Sequence, residues 1–73
     1  MQTETINAVG VVTVTAKPFA KIYNEKGVAL TDHALGTGSK WRTDIAIDID
    51  HKLYYRVATD QYLSSDDVSF VFA

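Results

Sequence analysis

The sequence predicts an all-β domain, a small SH3-like partly open β-barrel of five to six short strands. Three observations carry that prediction. Apolar and polar side chains alternate at period two from Trp41 to Asp50, the pattern of a strand with one covered face. Turn signals recur along the chain at Lys17-Pro18, Asn24 to Gly27 and Asp50-His51, each a local break in regular pairing. No window sustains the 3.6-residue period of an amphipathic helix. At 73 residues there is room for one small core. A barrel closes the edges that a small isolated sheet leaves open.

The elements follow in order. Residues 1–8 are polar and unpatterned and read as a flexible lead-in, with one domain over 9–73. Val9 to Thr15 is rich in Val and Thr, which fit a pleated surface, so it reads as a strand. Lys17-Pro18 interrupts it, because proline cannot donate to a ladder. Phe19 to Tyr23 alternates again, with Ala20 and Ile22 on one face. Asn24-Glu25-Lys26-Gly27 is a turn in which Gly27 supplies positive φ. Val28 to Leu30 reads as a short paired segment, and Leu35 to Ser39 as a flexible corner.

The clearest hairpin comes next. Trp41, Thr43, Ile45, Ile47 and Ile49 share one phase, with Arg42, Asp44, Ala46, Asp48 and Asp50 in the other. Asp50-His51 stands where a two-residue turn belongs. The return strand places Leu53, Tyr55 and Val57 inward, and Tyr54, Arg56 and Ala58 outward. Ser64 or Ser65 caps a helical turn through Asp67, and Phe70 to Phe72 forms a last strand.

Composition narrows the function. The chain has no cysteine, which rules out disulfides and thiol catalysis. Its net charge of −2 argues against nucleic-acid binding through bulk charge. No apolar run reaches membrane-spanning length, and no basic region followed by an apolar stretch marks a secretory signal. An exported parent protein would make this chain an excised piece. Apolar residues at 47% are ordinary for a globular domain.

Candidate chemistry is sparse. His33 and His51 both fall in expected turns and read as solvated residues rather than catalytic ones. Asp44, Asp48 and Asp50 hint at a cation. A calcium loop needs several oxygen ligands and a glycine bend, and Ile49 stands between the last two. They read more simply as the solvent face of a strand. No metal, cofactor or catalytic set is expected. Trp41, Tyr55 and Phe70 read as core aromatics. The outward phase of the hairpin has two readings. Lys40, Arg42, Tyr54 and Arg56 would form a basic-aromatic patch able to bind phosphate and pack on a sugar or glycerol unit. Alternatively, Arg42 or Arg56 pairs with Asp44 or Asp48 across the strands and leaves an ordinary solvated face.

The order of motifs from about residue 19 to 68 resembles a known family. An aromatic precedes an Asn-x-x-Gly turn, Tyr23 to Gly27. Leu35 stands six residues before Trp41. Tyr54-Tyr55-Arg56-Val57, Asp60-Gln61-Tyr62-Leu63 and Ser65-Asp66-Asp67-Val68 follow. This resembles the SLAP domain, the repeated wall-attachment module of surface-layer and other exported proteins of lactobacilli. Two departures stand out: Asp50-His51 replaces the family's usual Asn-Gly, and the chain is slightly acidic where many members are basic.

The resemblance implies a non-catalytic module at the cell surface of a Gram-positive bacterium. It implies a cell-wall glycopolymer, teichoic or lipoteichoic acid, as partner. The outward phase of the hairpin, rather than the resemblance, supplies the expected contact residues: Lys40, Arg42, Tyr54 and Arg56. The alternative is a protein–protein, spacer or self-association module that meets other copies of the same domain within a larger surface protein.

Overall fold

The computed structural model describes residues 3–73, apart from the side chain of Asp32. The chain is all-β. Its strands are β1 (Thr3–Val14), β2 (Phe19–Tyr23), β3 (Ala29–Gly36), β4 (Lys40–Ile49), β5 (Lys52–Ala58), β6 (Gln61–Ser64) and β7 (Val68–Phe72). One 3₁₀ turn, Ser65–Asp67, interrupts them. Its N-cap is Ser64, whose Oγ accepts the Asp66 amide at 3.3 Å. The seven strands form one antiparallel sheet in the order β3-β2-β6-β5-β4-β1-β7. The sheet is open, with β3 and β7 as its edges.

Strand content exceeds the sequence expectation in two places. β1 begins at Thr3, within the stretch read as a lead-in, because Thr3–Asn7 pair with Ile49–Ile45 of β4. Residues 1 and 2 of that stretch lie outside the described residues. Polar side chains hid this strand, yet its backbone groups still complete a ladder. β3 extends to Gly36 and takes His33 into an edge strand, where it is exposed, rather than into a turn.

The sheet coils, so strands far apart in its order share a core. Val12 and Val14 of β1 pack with Ala20 and Ile22 of β2 and Leu63 of β6. Tyr55 and Phe70 lean on that cluster and stack at 4.8 Å with ring planes 10° apart. A second cluster holds Ile47, Ile49, Tyr54 and Tyr62, with Tyr23 against it. In the β4–β5 register Ile47 faces Tyr54 and Ala46 faces Tyr55. Neighbouring β5 residues therefore feed different cores.

This overturns the placing of Tyr54 on the solvent side, since the residue is only 7% exposed. The Asn24–Gly27 turn helps to cover it. A Cβ at Gly27 would stand 3.3 Å from Ile49 Cδ1 and 3.7 Å from the Tyr54 hydroxyl. Gly27 has φ of 79°, as its turn requires.

Trp41 corrects the expected core in the other direction. It shares a cross-strand row with Val12 and Phe70 but is 39% exposed. β5 pairs with β4 only over Ala46–Ile49, so Trp41 has a strand on one side alone. Its indole Nε1 donates to Ser39 Oγ at 3.0 Å.

The hairpin turn matches its sequence signal. Ile49 pairs with Lys52, and Asp50 and His51 have φ of 51° and 72°. Both central residues take the left-handed region, as in a type I′ turn. The His51 amide donates to Asp48 Oδ1 at 2.8 Å.

Candidate groove between β4 and β5

β4 and β5 begin as a paired hairpin and then part. Their ladder runs from Ile49–Lys52 to Ala46–Tyr55 and goes no further. Two irregularities accompany the split. Asn7 pairs with Ile45 and Gly10 with Thr43, so Ala8 and Val9 together oppose Asp44. On the far side, Arg56 pairs with Tyr62 and Ala58 with Gln61, leaving Val57 as an extra residue. Extra residues of this kind bend a strand and re-aim its neighbours. Gly10 fits the first bulge because a Cβ there would lie 2.2 Å from the Val71 carbonyl oxygen.

The split leaves an open groove of about 710 Å³. Val9 and Val11 of β1 form one wall, Arg42 and Asp44 of β4 the floor, and Arg56 and Ala58 of β5 the other side. Ala73 closes one end, its amide donating to the Val9 carbonyl at 3.0 Å. The groove is thus apolar on its β1 side and charged along β4 and β5.

Arg56 spans the split. Its Nε donates to Asp44 Oδ1 at 3.1 Å and its Nη2 to Asp44 Oδ2 at 2.5 Å. That paired grip holds the Asp44 carboxyl below its ordinary pKa, first through the hydrogen bonds and then through the guanidinium charge. The same hydrogen bonds raise the pKa of Arg56. Arg42 is exposed and has no ion-pair partner among the described residues. The side chains lining the groove therefore include two guanidinium groups and one carboxylate.

The four residues singled out from sequence separate here. Arg42 and Arg56 line one groove. Lys40 is exposed two positions before Arg42 on β4, opposite Thr13. Tyr54 is withdrawn into the second core and takes no part. The cross-strand pairing that competed with the basic patch also exists, as Arg56 with Asp44. A further pair, Lys52 with Asp66 at 3.4 Å, lies elsewhere.

Val9 and Val57 were missed as groove residues, because alternation alone does not reveal a bulge. Gly10 inside a Val-rich strand was the available signal. Among the described residues no three His, Asp or Glu side chains converge as a metal site. No helix among them is long and apolar enough to cross a membrane.

No curated protein and no solved structure matches the chain. The family model of the surface layer protein A domain does match, over residues 5–64. That span takes in most of β1 and all of β2 to β6, and with them the buried residues of both cores, both bulges, and Arg42, Asp44 and Arg56. The chain belongs to the surface layer protein A domain family and is a domain of surface-layer-associated type.

Proposed function

We propose that the chain is a non-catalytic cell-wall attachment module of a bacterial surface protein. Its ligand is an anionic wall polymer, such as teichoic or lipoteichoic acid, held in the groove between β4 and β5. The observation that carries this reading is the guanidinium of Arg42, without an ion-pair partner among the described residues, in one open groove with Arg56. A guanidinium presents a planar fork of donors that matches phosphate oxygens. Val9 and Val11 offer an apolar wall for the carbon skeleton of a glycerol or sugar unit. Lys40 adds charge just outside.

Family membership supports a surface setting and a binding role rather than catalysis. With a net charge of −2 there is no long-range pull toward a polyanion. Affinity must come from the local patch and from several copies acting together. We read the coiled open sheet as a partly open SH3-like barrel of a secreted Gram-positive protein.

A second reading is a spacer or self-association module. It is favoured by the edge strand β7, where Val71 and Phe72 are 65% and 73% exposed. Salt separates the two. Polymer held by arginines is released as salt rises, whereas apolar self-association is not weakened. Sedimentation with purified cell walls, before and after extraction of teichoic acid, tests the first reading. It requires loss of binding on extraction.

A further inference from the structure

We infer that Asp44 is a built-in competitor for Arg56 that sets the groove's preference for chains of phosphodiesters over isolated phosphates. This rests on the attachment reading, and it concerns a residue that reading does not use. Nε and Nη2 of Arg56 are both engaged by Asp44. They form the same two-donor edge that would grip a phosphate. Arg42, which has no ion-pair partner among the described residues, is left ready to receive an anion.

The placement is not that of a buried structural pair. The Arg56 and Asp44 side chains are 36% and 59% exposed. Exposed pairs of this kind are weak and are screened by salt. The pair bridges the place where the β4–β5 ladder has ended. Exchanging its carboxylate for a ligand phosphate breaks no hydrogen bond of the β4–β5 ladder.

Two consequences follow for a ligand. A single phosphate meets Arg42 and is opposed by the Asp44 carboxylate two residues along the same strand, about 7 Å away along the backbone. A polymer held at Arg42 brings its next phosphate near Arg56 at high local concentration, where it displaces Asp44. The polymer gains a second charged contact that a monomer cannot recruit. Asp44 thus lowers affinity for every anion, and a chain of anions overcomes it best.

The test is a titration followed by NMR, using the intact chain and two defined probes. One is glycerol phosphate and the other a synthetic poly(glycerol phosphate). Wild type is compared with Asp44→Asn, Asp44→Thr and Asp44→Asn/Arg56→Ala, each checked for a folded spectrum. Thr is included because it suits a strand if Asn does not. The inference expects the single Asp44 variants to bind the polymer several-fold more tightly, with steeper salt dependence. It expects them to narrow the polymer-over-monomer preference, and the gain to vanish when Arg56 is also removed.

If wild type binds the polymer and the folded Asp44 variants bind it equally or less well, Asp44 is not a competitor. The attachment reading then stands without it. If wild type and the Asp44 variants all fail to bind at low salt, the attachment reading falls, and this inference with it.

Discussion

Tyr54 and Tyr55 are adjacent in sequence and belong to different cores. Tyr54 meets Tyr23 edge-on at 5.3 Å, while Tyr55 lies flat on Phe70 at 4.8 Å. One strand thereby ties the two clusters of a small domain together. Tyr54→Ala is expected to destabilise the fold by about 3 kcal/mol, the lower end for deleting a buried aromatic. A chain this small has only a few kcal/mol in reserve, so the variant should be largely unfolded in a thermal or denaturant melt. Tyr54→Phe, which keeps the ring, should stay folded. A stable Tyr54→Ala would mean the ring is a solvent-side ligand contact.

Trp41→Ala should be milder, costing about 1 kcal/mol, because the indole is already well exposed. Its NMR spectrum should remain dispersed. A loss as large as that of Tyr54→Ala would place Trp41 back in the core.

How much of this was legible is clearest from these residues. The alternation of β4 was plain, and it placed Ile47 and Ile49 in a core. It did not give the phase of β5, because both faces of β5 carry apolar rings. Period-two reading assumes one wet face and one dry face. A coiled sheet with a core on either side removes that contrast. Trp41 failed for a different reason. Its phase was right, but sequence does not show where a ladder stops. The turns were legible because left-handed backbone leaves a local signature in Asp50, His51 and Gly27. The groove was legible only in its charges. Arg42 and Arg56 stood out, whereas its walls depend on two bulges that join residues distant in sequence.

His51→Gly should raise stability slightly, by about 0.5 kcal/mol. His51 holds φ of 72°, which costs a residue with a Cβ more than it costs glycine. The backbone hydrogen bond from position 51 to Asp48 survives the change. A lower melting temperature would show that the imidazole makes contacts worth more than the relief.

The Asp44–Arg56 pair should leave a signature in acid. Pairing lowers the folded-state pKa of Asp44 from its ordinary 3.8. Its contribution to stability is therefore fully present above that ordinary value and is lost as pH falls through the lowered one. The stability difference between wild type and Asp44→Asn should be constant from neutral pH to mildly acidic pH. It should then shrink at lower pH. A difference that is flat throughout would mean the pair does not persist in solution.

We propose Arg42 and Arg56 as the residues that make the groove a site for an anionic wall polymer. The most direct measurement is the fraction of a tandem duplicate of the domain that sediments with purified cell walls, as salt is raised. Strong sedimentation at low salt is expected, with release at high salt, weak sedimentation of a single copy, and loss of binding in Arg42→Ala/Arg56→Ala. A duplicate that stays in the supernatant at low salt would contradict wall attachment. A duplicate that binds equally well with both arginines removed would contradict this groove as the site.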